Sequence, residues 1–458
     1  MSSTEFSQIL KDQREYFSTT ETRPLKFRIQ QLEKLKKVVL ENESLITDAL
    51  YKDLRKSQFE SYVTEIGVLI EEINFTIKNL KKWNKTKTVG TPLALMPSRS
   101  KIYQEPYGIV GVFAPWNYPF YLLLAPAVGA IAAGNCVILK PADLSSNIQK
   151  VIIDLINNNF EAEFMHAIGG GVPECEELLK EKFDYIFFTG SPRVGKIIMK
   201  AAAEHLTPVC LELGGKSPCI VDKKANIKVS ARRIVWSKFL NAGQTCVAPD
   251  YLYVHKDIKD EFMQEMKNRI AEAFESSPKD SDYLGRIISD QHHTRLIKYL
   301  DTNKIYCGGE HDASSRYIAP TMLTDITWDS DIMQEEIFGP IMPVMSYNSL
   351  DTVISEVNSR PKPLALYFYT EDCQNREKVI NETSSGGVCI NDCVVHLGNP
   401  YLPFGGVGNS GMGAYHGEFS YRAMSHAKGV LINTTKFDPP LRYRPFTDKK
   451  LSWIKKLL

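Results

Sequence analysis

The chain has almost no charge of either sign to spare: 55 Lys and Arg stand against 54 Asp and Glu, a balance of +1 over 458 residues. Nucleic-acid binders concentrate positive charge, so no nucleic-acid partner is expected. A disulfide framework is missing too. The nine cysteines (Cys136, Cys175, Cys210, Cys219, Cys246, Cys307, Cys373, Cys389 and Cys393) are odd in number and scattered, several in apolar runs such as NCVIL and VCLEL. That usage suits buried free thiols in a reducing compartment. The opening MSSTEFSQILKDQREYF carries charges where a signal peptide needs an apolar core, which makes a cytoplasmic location the expectation. Nor is there an unbroken apolar span. Tyr107 to Leu139 is free of charge and long enough to cross a bilayer, but Pro115, Pro119, Pro126 and four glycines interrupt it. It divides instead into strand (GIVGVF), loop (APWNYP), helix (FYLLLAPAVGAIAAG) and strand (NCVILK). Internal repeats and low-complexity tracts are absent.

What remains is ordinary globular composition and enough length for two or three domains. Residues 5–85 repeat apolar positions every three to four residues, as in RIQQLEKLKKVVLENESLITDAL, and predict helices. TKTVGTPLALMPSRSK breaks that pattern and predicts an extended connector or a strand leaving the main body. From 107 to 213 strand-like runs at 107–114, 136–140, 163–168, 184–188 and 208–213 alternate with amphipathic helix patterns. A second alternating block follows from about 217 to 392, with SPCIV, YLYVH, IMPVMSY, LALYFYT and GVCIN. Repeated βα units predict parallel sheets covered by helices.

Several local patterns carry chemistry. The literal G-x-G-x-x-G at Gly406–Gly411 lacks the preceding strand and following helix that a dinucleotide fingerprint needs. GGKS at 214–217 lacks the earlier glycine of a phosphate loop, because Cys210 stands there. FTGSPRVG at 188–195 is the better candidate. It follows a strand and opens a helix, so Gly190 permits a tight turn, Ser191 offers a hydroxyl, and the helix N-terminus presents N–H groups to a pyrophosphate. NAGQTCVAP places Cys246 in a small-residue loop, either a reachable nucleophile or a bystander thiol. LELGGKSP ends a strand with Glu212, either a base at a site-forming strand end or an edge carboxylate facing water. PWNYP holds Asn117 between prolines, either as an oxyanion donor or as part of a stiff turn.

Taken in order, APWNYP, LKPAD, FTGSPRVG, LELGGKSP, NAGQTC, QEEIFGP and LPFGGVGNSGMGAYHG resemble the aldehyde dehydrogenase superfamily over roughly residues 5 to 435. NAGQTCVAPDY, PFGGVGNSGMGAYHG and the short N-terminus are most similar to its class 3 branch of fatty and aromatic aldehyde enzymes. The resemblance implies an α/β fold: a Rossmann-like parallel-sheet cofactor domain (1–86 and 107–213), a second α/β catalytic domain (214–419), a small β oligomerisation element (87–106 and 420–435) and a tail (436–458). It implies NAD(P)-dependent oxidation of a medium- or long-chain aliphatic or aromatic aldehyde to its acid, with Cys246 as nucleophile, Asn117 as oxyanion donor and Glu212 as the base for hydrolysis. Lys140 matches the residue that bonds the adenine ribose, Gly190 and Ser191 the pyrophosphate turn, and Glu336 and Phe338 the pair at the nicotinamide ribose and ring. Asp143 departs from the glutamate of many NAD-preferring relatives, and its shorter side chain leaves both NAD and NADP as coenzymes. Two neighbouring outcomes share the scaffold: transfer of the acyl group to coenzyme A, and a non-catalytic binding protein.

Tyr118 and His396 are assigned to an apolar substrate tunnel. Cys389, Cys393 and His396 have a suggestive spacing but no fourth ligand, so no metal is expected. The tail segment KKLSWIKKLL carries Leu451, Ile454, Leu457 and Leu458 at helical spacing among lysines. A basic amphipathic helix of that kind can lie on an anionic membrane surface, cap a tunnel or pack across a dimer. A homodimer is expected, because the resemblance lacks the N-terminal extension of many tetrameric relatives.

Overall fold

The apolar period of the first 85 residues closes into the helices Ser3–Ser18, Leu25–Glu41, Glu43–Leu54, Gln58–Ser61 and Gly67–Trp83, with a π-helical turn, Tyr62–Ile66, between the last two. Leu32, Leu35, Ile46, Leu50, Leu69 and Ile73 form their buried face. The computed structural model describes residues 3–274 and 277–457; Met1, Ser2 and Leu458, at the outer ends of the first and last expected segments, lie outside them.

Two sheets carry the body, each parallel apart from one edge. The first has the order Gly411–Met412, Val209–Leu213, Tyr185–Gly190, Ile109–Phe113, Cys136–Lys140, Met165–Ala167. Its five consecutive strands coincide with the five runs read from 107 to 213. The sixth was not foreseen: Gly411–Met412 returns from far along the chain and pairs antiparallel with Leu211 and Glu212. The second sheet has the order Lys304–Cys307, Thr321–Thr324, Ile341–Tyr347, Tyr251–His255, Pro218–Val221, Ala365–Tyr369, Gly387–Ile390. Only its Lys304–Cys307 edge runs antiparallel. The fold is therefore of the α/β class, with Rossmann-like winding in the first sheet.

That winding positions the site. From Ile109–Phe113 the chain proceeds outward to Cys136–Lys140 and Met165–Ala167, then crosses back to Tyr185–Gly190 and Val209–Leu213. Ile109–Phe113 and Tyr185–Gly190 are neighbours in the sheet, so the loops after them flank a crevice at the switch point, where open α/β sheets build ligand sites. The uncharged stretch after Ile109–Phe113 forms helix Tyr121–Ala133, buried at every residue. It is an interior helix, stopped by Gly134 at φ 96°. Among the described residues no helix is long and apolar enough to cross a membrane.

TKTVGTPLALMPSRSK proves to be mostly extended. Lys87–Val89 and Arg99–Pro106 join Ser425–Ile432 in a separate antiparallel sheet of three strands. The tail forms the helix Asp448–Leu457, tied to its own preceding turn through Lys450 Nζ, which donates to Tyr443 O at 2.9 Å and Pro445 O at 3.0 Å. Leu451 and Trp453 are about half exposed, at 50% and 54%.

Candidate active site

A cavity of about 720 Å³ lies where the carboxyl ends of the first sheet face the amino ends of the second, and Asn117, Gly190, Ser191, Glu212, Cys246, Glu336 and Phe338 all line it. Each arrives there from a strand end. Asn117 follows Ile109–Phe113, Gly190 ends its own strand and Glu212 lies one residue from the end of Val209–Leu213. Cys246 precedes Tyr251–His255, and Glu336 and Phe338 precede Ile341–Tyr347.

The loop that carries Cys246 is conformationally demanding. Asn241, Ala242 and Gly243 all have positive φ, at 52°, 53° and 75°. A Cβ on Gly243 would stand 2.2 Å from Gly339 O, so the cysteine loop and the loop of Glu336 and Phe338 pack backbone to backbone. Phe338 itself has φ 51° and meets Trp116 edge-on, with ring centroids 5.4 Å apart.

Asn117 is buried, and its side-chain N–H₂ donates one hydrogen to Gln244 O at 2.9 Å. An amide nitrogen has two hydrogens, which leaves one for a cavity ligand. Glu212 is buried as well, with Oε1 accepting from the Cys210 thiol at 3.8 Å and Oε2 without a partner. Burial holds its carboxyl well above the usual carboxylate range. Burial, reinforced by the Glu336 and Glu212 carboxylates, pushes the Cys246 thiol up to about 12, against a smaller downward pull from the Cys246 and Val247 backbone N–H groups. The thiol is therefore protonated at neutral pH and needs a base to become a nucleophile.

The opposite wall suits a dinucleotide. Ser191 caps the helix Pro192–Ala203, accepting from Val194 N at 3.4 Å, and that helix begins at the cavity wall. Next to it the Thr189 hydroxyl is buried without a partner. Glu336 lies against the glycine pair after Glu212: a Cβ on Gly214 would stand 2.0 Å from its Oε2. Burial, and after it Asp250, raises the Glu336 carboxyl to about 8, partly offset by the Gly215 N–H. Helix-end N–H groups for phosphates and a carboxylate for a ribose diol are a donor and acceptor set that NAD or NADP fits.

The remaining candidates stand outside this cavity. Lys140 is buried and donates to Pro141 O at 3.1 Å and Gly170 O at 2.6 Å. Asp143 is exposed beside Gly171. Tyr118 lies behind the cysteine loop, its hydroxyl 2.6 Å from Thr245 Oγ1. His396 packs between Tyr367 and Phe404, each 6.0 Å away by ring centroids, with both ring nitrogens buried and unpartnered. Burial lowers it to about 4, so it is neutral. Among the described residues no three His, Cys, Asp or Glu side chains gather as a metal site.

Sequence reading missed the groups that hold the cysteine loop: Asn241 and Gln244, quoted within NAGQTC but given no role, and Lys56, Glu60 and Glu65 from the N-terminal helices. The first two could have been suspected from their place beside Cys246. The other three had no local signal.

A family model described as the aldehyde dehydrogenase family matches residues 1–430. A Staphylococcus aureus 4,4'-diaponeurosporen-aldehyde dehydrogenase is 48% identical over 440 residues, covering 96% of each chain. A mouse aldehyde dehydrogenase described as dimeric and NADP-preferring is 48% identical over 430 residues, covering 94% of this chain and 95% of its own. Human aldehyde dehydrogenase family 3 member B1 is 44% identical over 447 residues, covering 97% and 96%. Among solved structures, the substrate-bound state of Staphylococcus aureus AldH superposes with a TM-score of 0.96 at 47% identity, covering 98% of both chains. With cysteine, buried carboxylate and dinucleotide wall around one cavity, and relatives alike over almost their whole length, the chain belongs to the aldehyde dehydrogenase family, with class 3 enzymes among its relatives, and is an oxidoreductase that oxidises aldehydes.

Proposed function

We propose that this enzyme converts medium- or long-chain aliphatic aldehydes, or aromatic ones, into carboxylic acids through a thiohemiacetal and then a thioester on Cys246. The observation that carries this reading is the convergence of Cys246, Asn117 and Glu212 on the cavity that also holds Gly190, Ser191, Glu336 and Phe338. In this mechanism the Cys246 thiol gives its proton to the Glu212 carboxylate. Burial makes that carboxylate a stronger base than an exposed one. The sulfur adds to the aldehyde carbon, and the new oxyanion takes hydrogen bonds from the free Asn117 N–H and the Cys246 backbone N–H. Addition also makes the carbon tetrahedral and able to give up hydride. When bound, NAD or NADP supplies the hydride acceptor. Gly190, Ser191 and the start of Pro192–Ala203 would hold its diphosphate, Lys140 and Asp143 its adenine ribose, and Glu336 and Phe338 its nicotinamide end. Glu212, the proton lost, then orients water onto the thioester, and the acid leaves. Tyr118 and His396 belong to the substrate side.

On the same reading the three-stranded sheet of Lys87–Val89, Arg99–Pro106 and Ser425–Ile432 pairs two copies into a homodimer, and the tail helix makes peripheral contact with anionic membrane. Nine free cysteines favour the cytoplasm.

The test is coenzyme reduction followed at the nicotinamide absorbance with a medium-chain aldehyde, NAD and NADP in parallel, beside Cys246→Ala. Reduction by the wild type alone, with free acid as product, is expected. An acyl-coenzyme A product would replace the hydrolytic step, and no reduction with any of several aldehydes would overturn the reading.

A further inference from the structure

Behind the cavity, the oxyanion donors are held by a short N-terminal segment that does not line it. Residues 55–66 run from Arg55 at φ 51° through the helix Gln58–Ser61 into the π-helical turn Tyr62–Ile66. π turns are rare and recur at functional positions. This one carries Glu65, which forms an ion pair with Lys56 in which both side chains are 0% exposed. Lys56 Nζ also donates to Asn117 O at 2.9 Å and stands 4.0 Å from the centre of the Tyr118 ring. The other Glu65 oxygen accepts from Phe120 N at 2.9 Å and Tyr121 N at 3.2 Å, where the buried helix Tyr121–Ala133 begins. The pair thus grips the PWNYPFY loop at Asn117 and at the residues that follow it.

The same segment reaches the nucleophile loop. Glu60 accepts from Asn241 N at 2.6 Å, and Asn241 Nδ2 donates to Asn117 O at 2.8 Å and Gln244 O at 3.1 Å. Gln244 O is the atom that accepts from the Asn117 side chain. A buried ion pair is costly to desolvate, and apolar side chains of similar volume commonly serve stability as well or better. Three ionisable groups buried at one place, each bonded to the backbone of a loop that carries an oxyanion donor, therefore speak for geometry rather than for stability.

We propose that Lys56, Glu60 and Glu65 are positioning residues that hold the Asn117 amide and the Asn241–Cys246 loop at the spacing an oxyanion requires. The inference rests on the oxyanion role given above to Asn117. Its expected size is that of a displaced catalytic group, for which a shift of about 1 Å costs about a hundredfold in rate.

The test is a double-mutant cycle read in single-turnover coenzyme reduction. Lys56→Met combined with Glu65→Gln removes the ion pair and leaves Glu60, whose carboxyl burial already raises to about 7 against the pull of Lys56, to take up a proton; it is measured in the wild type and in Asn117→Ala. Expected are a loss of about ten- to a hundredfold in the wild type, unchanged NADPH affinity by fluorescence, and less than about threefold further loss on Asn117→Ala. A merely structural role would instead give the same loss in both backgrounds, and that result, or unchanged turnover, overturns the proposal. If Asn117→Ala by itself leaves the rate unchanged, the oxyanion role fails first and takes this inference with it. Should the double variant not fold, Glu60→Met carries the same cycle: it deletes the acceptor of Asn241 N and leaves the Lys56–Glu65 pair intact.

Discussion

In the free enzyme burial works against the charged forms of two acids, Cys246 and Glu212. Burial, then Glu336 and Glu212, raises the Cys246 thiol to about 12, and burial holds Glu212 well above the usual carboxylate range. Because both must lose a proton to act, the rate of Cys246 alkylation by iodoacetamide should climb steadily from pH 6 to pH 10 without a plateau near neutrality. A plateau by pH 7 would mean that the thiolate forms by a route other than this pair. Glu336 gives a stability prediction of definite sign. Its carboxyl is raised from 4.5 to about 8, so the folded protein keeps a proton that the unfolded chain has released. Its contribution is complete below about pH 4.5 and is lost as pH rises to about 8. The melting temperature of Glu336→Gln, relative to wild type, should therefore improve across that window; a constant difference would contradict the assignment. Glu212→Gln should slow both acylation and acid release, the release by about a hundredfold or more, so that the acylated Cys246 that does form persists and is visible by intact mass.

At the scale of elements, the site depends on loops that approach each other by backbone alone. Gly243, at φ 75°, lies where a Cβ would stand 2.2 Å from Gly339 O. Gly243→Ala should cost about 1–3 kcal/mol of stability through its backbone conformation alone, before the clash is counted. By parting the loops of Cys246 and Glu336 it should also lower kcat and raise the coenzyme KM together. A variant that loses stability but keeps both constants would show that the two loops need not touch. The strand runs and the long interior helix were legible in sequence because apolar alternation and proline or glycine breaks are local. The antiparallel edge Gly411–Met412 was not, since two residues are too few to carry a period and their pairing with Leu211 and Glu212 is a distant one.

At the scale of the whole molecule, the proposed homodimer should appear in sedimentation as a species of twice the 51.8 kDa chain mass; a tetramer would refute the proposed pairing. The tail makes a separate claim. Its helix presents Leu451 and Trp453 about half exposed and is tied to its own turn. The protein should pellet with anionic liposomes and cease to do so when the chain is cut after residue 447. Continued pelleting of the shortened chain would remove the tail from any membrane role.

By itself the sequence determined the alternation of strands and helices, the buried helix that mimics a membrane span, and the short motifs around Asn117, Glu212 and Cys246, because each is written in neighbouring residues. Only the tertiary structure decided which of nine cysteines faces Glu212 across a cavity, and that Lys140 and Asp143 stand outside it. It also decided that Lys56, Glu60 and Glu65, which in a charged helical stretch look like surface residues, are buried beneath the loops of Asn117 and Cys246. The reason is physical. Periodicity reports which face of an element is apolar, whereas the burial of a charge depends on partners such as Asn117 O and Asn241 N, which lie far along the chain and arrive only when the sheets close.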